Sequence, residues 1–469
     1  MTTTRTRPAL TFLLLACGTA TFSMLQSLLS PVLPTIQDDL DTTRSAVSWI
    51  LIAWLLSSAV ATPILGKVGD MIGKARTLSI SLAAIIVGSL IAALAPNIEM
   101  VILGRIVQGL GGAVFPLSFG IIRDEFPSDK VPSAVGVMSA IIAVGGGLGV
   151  LLAGPIVGLF DWRWLFWLPM AVVAVVGLFS WRYVPESPVR APGRINWLAA
   201  TLLAGWLLAL LLPLSQGTQW GWTSPAVIGL LIAAVVLIVA WIAVEMRTDN
   251  PVIDMRVMRL PAVWTTNLVA FLFGAAMFAI YAFLPQFMQL PAETGYGFGA
   301  SVSLAGLMML PMLVTMAVTG VVSGPLAAFM GFKTQLAGGS ALLALACLGF
   351  AFLHGAVWEV LVEGAIFGVG MGLAYAAMVS LIVQNVPSGQ TGVATGMNAN
   401  IRTIGGAIGT AVMTAIVTAD HAANGLPSEH GFTIGFALFG IIAILAVFVA
   451  LLVPGRRPAL APNGLGQTA

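Results

Sequence analysis

Long apolar runs alternate with short polar connectors along the whole chain. Each run has about 20 or more mostly apolar residues, the length that a helix needs to cross a bilayer, and the connectors are rich in Pro, Gly and charge. The fourteen runs lie at approximately 9–31, 46–65, 77–96, 99–122, 133–158, 164–184, 195–215, 225–245, 262–285, 300–323, 334–353, 357–384, 394–418 and 432–454. The pattern predicts an all-α polytopic membrane protein with 14 transmembrane helices.

Lys and Arg are distributed unevenly between alternate connectors, and these residues favour the cytoplasmic side of a membrane. With the N-terminus inside, the outer connectors contain only Arg44 and Arg163, whereas sixteen Lys and Arg residues lie in the inner connectors and termini. This bias predicts a multi-pass protein of a bacterial cytoplasmic membrane with both termini in the cytoplasm. The first run follows Arg5 and Arg7 as in a signal peptide, but it continues to Leu29, so we interpret it as the first span rather than a cleaved leader.

Composition supports the membrane assignment, since only 8% of the 469 residues are charged, compared with about 25% in soluble chains. Cys17 and Cys347 fall in apolar runs and are expected to be packing residues. The three histidines lack metal-ligand spacing, and no basic cluster outside the connectors suggests nucleic acid, so we expect no metal, cofactor or nucleic-acid partner. We also expect no enzyme, because no constellation of carboxylates or histidines is evident at a membrane face.

A hydrophilic connector at 66–78 separates the second and third runs and packs glycines and cations around one carboxylate. It resembles the signature loop of the major facilitator superfamily, G-x-L-x-D-R-x-G-R-K-x-x-L. The residues that match are Gly66, Asp70, Gly73, Lys74 and Leu78, and those that differ are Val68, Met71 and Ala75. The resemblance implies a gating role for Gly66, Asp70, Gly73 and Lys74; an ordinary basic loop is the alternative.

The fourth run contains Arg105, and an arginine at membrane depth requires a partner or water. The stretch 103–113 resembles the R-x-x-Q-G-x-G-x-A motif of the same superfamily, which is associated there with proton transfer. The resemblance therefore implies a role in proton coupling for Arg105. The alternative is a structural arginine whose side chain reaches the outer surface.

The fifth run is rich in glycine and resembles the G-x-x-x-G-P-x-x-G-G motif of the antiporter branch at Gly154, Pro155 and Gly158. The resemblance implies a gating role for these three residues in a bendable helix with a flat face for a neighbour, and a packing seam is the alternative. Further stretches resemble fourteen-span drug exporters at 161–166, 219–222, 392–398 and 402–409. Together they imply a transporter with alternating access that is coupled to proton influx.

An echo of the signature loop at 324–333 follows the second span of a proposed second half. Internal repeats of this kind are usual in secondary transporters. We predict a six-helix half at 1–190, an inserted helix pair at 191–255, a second six-helix half at 256–455 and a cytoplasmic tail at 456–469 that is expected to be disordered.

One departure from the family concerns the proton. The antiporter branch usually has an aspartate in the first span, where this chain has Gln26, which cannot titrate. A buried carboxylate can load and release protons, so we expect proton coupling at Glu363 first and at Asp124 next. A solvated glutamate at a helix end is the alternative for Glu363, and we expect Arg402 to face it across the cavity.

The substrate surface is predicted from polar and aromatic residues on spans expected to line that cavity. They are Gln26, Trp54, Asn267, Tyr281, Tyr375, Asn398 and Arg402. For Arg402, an anion contact and a purely structural role both remain open. Any single aromatic residue could instead belong to the lipid-facing belt.

The sequence thus predicts a monomeric secondary exporter of small amphipathic or drug-like molecules, working in the lipid bilayer by proton antiport. The alternative is the same fold exporting a lipid, a siderophore or an endogenous secondary metabolite, with or without the usual proton coupling. A membrane enzyme or a receptor is disfavoured.

Overall fold

The structure is a computed structural model that describes residues 8–188, 190, 194–419 and 426–454. Within these residues the regular elements are helices, with no β-strand. The first are α1 (Pro8–Ser27), α2 (Leu33–Asp39), α3 (Arg44–Ile72), α4 (Lys74–Ala93), α5 (Ile98–Gly109), α6 (Val114–Glu125), α7 (Val131–Leu159), α8 (Trp164–Tyr183), α9 (Trp197–Trp220) and α10 (Pro225–Arg247). The others are α11 (Met255–Met258), α12 (Pro261–Gln289), α13 (Val302–Met308), α14 (Leu310–Phe352), α15 (Val357–Asn385), α16 (Thr391–Ala419) and α17 (Glu429–Leu452). The predicted tail at 456–469 lies outside the described residues.

The predicted 14 spans are confirmed once the longest helix is divided. In the described chain, 13 helical segments are long and apolar enough to cross a membrane. One of them includes all 43 residues of α14, and Gly331 inside it has φ 68° and ψ 160°. This left-handed conformation is open to glycine without steric cost, so α14 turns at Gly331 and supplies two spans. The inner end of each span is the end predicted to face the cytoplasm, and the outer end is the opposite one.

Two seams join the predicted halves. In the first, α3 lies against α16; in the second, α7 lies against α14. Backbones in the second seam approach closely: a Cβ on Gly320 would lie 2.7 Å from the Cβ of Ala140, and one on Gly136 would lie 2.7 Å from the carbonyl oxygen of Gly320. Small residues therefore set the distance between α7 and α14.

The predicted inserted pair forms a hairpin in which α9 packs on α10, and α9 also contacts α3 and α16. At its inner end Glu245 is buried and accepts hydrogen bonds from the backbone N–H groups of Val252 and Ile253, at 2.9 and 3.1 Å. These bonds fold the connector to α12 back against α10.

A flat face was expected around Gly154, Pro155 and Gly158, and this expectation is wrong. The three residues are exposed, and no atom lies within 4 Å of a Cβ built on either glycine. The close packing of α7 occurs earlier, where a Cβ on Gly145 would lie 2.8 Å from the carbonyl oxygen of Ala20 in α1. The motif thus marks the outer end of α7, and the seam with α1 lies further inside.

Candidate functional site: the transport pathway

The inner end of the α3–α16 seam is closed by the carboxylate of Asp70. This side chain is fully buried and accepts hydrogen bonds from the N–H groups of Val393 at 3.1 Å and Gly392 at 3.4 Å. Both donors belong to the first turn of α16, where the N–H groups have no partner within the helix and the helix dipole favours an anion. Asp70 therefore ties the end of α3 to the start of α16.

Two further contacts support this closure. A Cβ on Gly66 would lie 2.9 Å from the carbonyl oxygen of Gly392, so the backbones of α3 and α16 nearly touch there. The guanidinium of Arg123 in α6 donates to the hydroxyl of Thr391 at 2.6 Å and to the carbonyl oxygen of Val386 at 2.8 Å. The inner end of the bundle is thus held shut from two helices.

Lys74 neutralises the buried carboxylates at this position. Its ammonium group is fully buried, 2.5 Å from Asp124 and 3.7 Å from Asp70. The hydroxyl of Ser187 also donates to Asp124. Asp124, predicted as a proton-coupling residue, therefore belongs to the same cluster as the signature loop, which we call the inner gate: Asp70, Lys74, Asp124, Arg123 and the first turn of α16.

The turn between α3 and α4 needs its glycine. Gly73 has φ 123°, and a Cβ there would collide with the carboxylate of Glu186. That carboxylate accepts hydrogen bonds from the N–H groups of Ala75 at 3.1 Å and Arg76 at 3.2 Å, which lack partners at the start of α4. Sequence reasoning missed Glu186, because it lies 111 residues from Ala75 and no local pattern connects them.

In the outer part of the fourth span, Arg105 is fully buried and does not reach the surface. Its Nε donates to the carbonyl oxygen of Ile50 at 3.0 Å, and one terminal nitrogen donates to Leu25 at 3.3 Å and to Gln108 at 2.9 Å. The guanidinium carbon lies 5.3 Å from the ring centre of Trp54. Leu25 is near the end of α1, where carbonyl groups lack helical partners, so Arg105 joins α1, α3 and α5.

A second buried arginine lies in the C-terminal half. Arg402 of α16 is 8% exposed and donates to the hydroxyl of Tyr375 in α15 at 2.8 Å. Its guanidinium carbon lies 4.3 Å from the centre of the same ring. Phe273 packs edge-on to Tyr375, at 6.4 Å between centroids, and Tyr281 donates to the sulfur of Met316 at 3.5 Å. The predicted substrate residues Tyr281, Tyr375 and Arg402 thus lie on α12, α15 and α16, which pack on one another.

A cavity of about 220 Å³ lies next to this region, between α9 and α16 with α3 and α12 completing the wall. Its residues are Leu55, Leu214, Ser215, Thr218, Trp222, Phe278, Thr403, Gly406, Ala407, Thr410, Ala411 and Thr414. None of them is charged, and several carry a hydroxyl group. The predicted inserted helix α9 therefore shares the wall of a cavity with α3, α12 and α16.

The decisive comparison is with a family model described as the Major Facilitator Superfamily, which matches residues 15–196 and 187–410. The chain belongs to the Major Facilitator Superfamily. It is 29% identical over 389 residues to the multidrug transporter protein MdtP of Bacillus subtilis, covering 81% of this chain and 70% of the relative. It is also 29% identical over 439 residues to a methylenomycin A resistance protein of Streptomyces coelicolor, covering 91% and 89%.

Solved structures support the same fold. The human organic anion transporter MFSD10 superposes with a TM-score of 0.71 at 16% identity, covering 95% of this chain and 100% of that one. The proton:xylose symporter XylE superposes with a TM-score of 0.68 at 13% identity, covering 95% and 96%. The facilitator fold predicted from the signature loop is confirmed.

Within this facilitator, Glu363 has one feature expected of a proton site. It is 6% exposed, its carboxylate packs against Gly349 of α14, and one carboxylate oxygen is buried without a hydrogen-bond partner. Glu359, one turn earlier, instead accepts from the N–H of Ala356 at 2.9 Å and caps α15. The two glutamates therefore have different environments, although they lie on one helix four residues apart.

The expected approach of Arg402 to Glu363 is wrong. Arg402 contacts Tyr375, which is twelve residues further along α15 than Glu363. At 1.5 Å per residue this separation is roughly 18 Å. Counting residues along a span estimates the depth of a side chain in the membrane. Small counting errors in two spans that run in opposite directions add up, and the expected contact between Arg402 and Glu363 rested on two such counts.

The remaining predicted substrate residues are mostly held by neighbours. Asn398 donates to the side-chain oxygen of Asn267 at 2.9 Å, and both are buried. Trp54 is buried beside Phe22, at 5.1 Å between ring centroids, and Gln26 is half-buried at the outer end of α1. Trp54 and the asparagine pair thus have positions that suit packing within a half.

Asn400 of α16 joins the two predicted halves. Pro63 lies inside α3 and has no N–H group, so the carbonyl of Ala59 loses its usual helical donor. The side-chain amide of Asn400 donates to this carbonyl at 2.6 Å. A proline in one half is therefore satisfied by an asparagine of the other, which ties α3 to α16 above the inner gate.

Proposed function

We propose that this protein is a secondary active exporter of small amphipathic, drug-like molecules that works by alternating access and proton antiport. The observation that carries the proposal is the inner gate, in which a buried carboxylate of α3 holds the start of α16. A closed inner end leaves substrate exchange to the outer side. Breaking the bonds of Asp70 would let the inner ends separate and admit cargo from the cytoplasm.

Relatives support the choice of cargo class. The similar proteins are named for multidrug transport and for methylenomycin A resistance. The mixture of aromatic, thioether and hydroxyl side chains on α12, α15 and α16 suits amphipathic molecules, since such groups offer adaptable contacts. We therefore assign the transported molecule to this class in general terms.

Glu363 is the residue that we propose for the proton. A carboxylate at membrane depth is costly when charged and unpaired, and its free oxygen leaves room for a proton. A proton taken up from the outer side would neutralise the Glu363 carboxylate, and release of that proton to the inner side would restore the negative charge. The matched control is Glu359, which is committed to capping α15.

The test uses purified protein in liposomes with and without an imposed pH gradient. A cationic, a neutral and an anionic amphipathic dye are offered separately: ethidium, Nile red and 1-anilinonaphthalene-8-sulfonate. We expect the gradient to drive accumulation of at least one dye, Glu363→Gln to abolish the gradient-driven part, and Glu359→Gln to retain it. Movement of none of the dyes would contradict the exporter, and equal activity of both variants would contradict Glu363 as the proton site.

A second candidate is supported by Gln26, which replaces the aspartate usual in the antiporter branch. The same fold could export a lipid, a siderophore or an endogenous secondary metabolite, with the proton coupling altered. Movement of a dye down its own concentration gradient, at a rate that the pH gradient does not change, would favour this candidate.

We also propose that the protein acts as a monomer in a bacterial cytoplasmic membrane, with both termini in the cytoplasm. The concentration of Lys and Arg in the connectors of one side supports this orientation. Protease protection of tagged termini in sealed membrane vesicles checks it.

A further inference from the structure

The interiors of the described spans contain very few ionisable side chains. Away from the helix ends, Arg105 and Arg402 are the cations and Glu363 is the carboxylate. Asp70, Lys74 and Asp124 are grouped at the inner gate. The interior of the described spans thus has more cations than anions, and Gln26 stands where an acid would otherwise add negative charge.

The two arginines differ in how their donors are used. Arg105 makes three hydrogen bonds to protein oxygens and is completely enclosed, and its second terminal nitrogen is buried without a partner. Arg402 makes one hydrogen bond, to the neutral hydroxyl of Tyr375. Arg105 therefore has no donor that a bound molecule could reach in this structure, whereas most of the donor capacity of Arg402 is available.

Arg402 forms no ion pair with any carboxylate of the described chain. A guanidinium has five N–H donors, and its nitrogens other than the one bonded to Tyr375 have no protein acceptor. Those nitrogens are not among the fully buried polar atoms that lack a partner. They are therefore open to a bound molecule or to water, as an uncompensated charge in a membrane requires.

The surroundings of Arg402 suit the body of an amphipathic molecule. The rings of Tyr375 and Phe273 lie beside it. Gly406, one helical turn further out on the same side of α16, lines the uncharged cavity next to α9. A cation without a counterion thus lies beside two aromatic rings, and a cavity lined with apolar and hydroxyl groups begins at the neighbouring Thr403 on α16, although Arg402 itself does not line it.

We propose that Arg402 binds the carboxylate of the transported molecule, so that the cargo is an amphipathic organic anion. This inference rests on the proposed exporter function and names its substrate class. The guanidinium fork matches a carboxylate in bidentate geometry, and the ring of Tyr375 holds the fork in place. An organic cation would meet an unpaired positive charge there, with Glu363 roughly 18 Å along α15 from Tyr375.

The test compares three probes with the same ring system and different charge: 9-anthracenecarboxylate, its methyl ester and 9-(aminomethyl)anthracene. Binding to the purified full-length protein is measured from the fluorescence of the anthracene. We expect the acid to bind about 10-fold or more tightly than the ester, and the amine to bind most weakly. Hydrogen bonds to charged groups correspond to about 10- to 100-fold in affinity.

Substitutions then locate the site. Arg402→Gln should weaken binding of the acid by about 10- to 100-fold and leave the ester unchanged, and Arg402→Lys should fall between. Tyr375→Phe should cause a smaller loss for the acid alone. An equal loss for all three probes in Arg402→Gln would indicate a structural role and overturn the proposal.

The proposal can be tested even where Arg402→Gln fails to fold, because the order of affinity of the three probes is measured independently on the wild-type protein. Ester or amine binding as tightly as the acid would overturn the proposal. Acid-selective binding without gradient-driven transport of any probe would instead contradict the exporter function alone. Gradient-driven transport of the amine without a preference for the acid would contradict the substrate class alone.

Discussion

The two seams between the halves are built from different chemistry. The α3–α16 seam has directional polar contacts. Asp70 accepts hydrogen bonds from the first turn of α16, and Asn400 donates to the carbonyl of Ala59 that Pro63 leaves without a helical donor. The α7–α14 seam has close backbone packing, and in the described chain no side-chain hydrogen bond joins those two helices. The seam extends from Gly324, which packs against Ser133 near the inner end, to Gly306 of α13 further out, where an added Cβ would lie 3.4 Å from the side chain of Leu151.

This difference suggests a division of labour. Breaking the polar seam leaves groups that water from the inner side can solvate, so its bonds can be exchanged for hydration during opening. Glycine and alanine surfaces lack directional bonds and allow small sliding movements of packed helices. We therefore expect α3–α16 to act as the latch and α7–α14 to remain packed as the halves rock.

The largest effect should follow from removing the charge of the latch. Asp70→Asn keeps the shape but weakens two hydrogen bonds to α16 and leaves Lys74 with Asp124 alone. Bonds to a charged group contribute about 1.5–3 kcal/mol, so gradient-driven dye transport should fall by about 10-fold or more. The matched control is Asp129→Asn, which removes an exposed carboxylate on the same side of the protein. A loss of transport of similar size in this control would contradict a specific role of Asp70.

A smaller effect is expected from adding one methyl group to the apolar seam. In Gly320→Ala the new Cβ lies 2.7 Å from the Cβ of Ala140, so α14 must move away from α7. Overpacking costs about 1–3 kcal/mol, which should lower the melting temperature and slow transport. Gly154→Ala, also on α7, meets open space and should leave the melting temperature unchanged. Loss of transport at an unchanged melting temperature there would support the gating role predicted for Gly154.

The smallest effect should come from Asn400→Ala. The substitution leaves the carbonyl of Ala59 without a donor, which costs about 1 kcal/mol when water can partly replace it. Transport should fall by a few-fold, and Asn400→Gln should not restore it, because the longer amide is displaced from the carbonyl. Initial rates of dye uptake in liposomes measure the effect of both Asn400 variants. A loss of transport in Asn400→Ala as large as that in Asp70→Asn would mean that the Asn400 contact, and not the Asp70 contact, holds the seam closed.

The sequence was sufficient for the fold because the length of each hydrophobic run reports directly on a span, whereas the orientation predicted from the Lys/Arg bias stays a prediction. It also identified Asp70, Gly73 and Lys74, since a turn with a required glycine and a helix start with a carboxylate leave a local pattern. It did not identify which side of each helix faces a neighbour. The ion pair of Asp124 with Lys74, fifty residues away in the chain, left no local pattern, and the role of Asp124 in proton coupling stays a prediction.

Depth along a span is a weaker guide to contact than it first appears. Arg402 and Glu363 were paired by counting residues along two helices of opposite direction, and the structure places them at different levels. Glu186 shows the reverse case, because its role depends on a connector folding back onto the start of α4. Contacts of this kind depend on the tertiary arrangement of distant segments, which no periodicity records.

Whether Asp70 holds the inner ends of the two halves together can be measured as a distance between them. Spin labels at Lys130→Cys and Gln384→Cys, both exposed at inner helix ends, report on the two halves after Cys17→Ser and Cys347→Ala remove the native thiols. Double electron–electron resonance on reconstituted protein measures the distance between the two labels. We expect one short distance in the otherwise native chain and an added longer distance in Asp70→Asn. Identical distance distributions for the two proteins would contradict it.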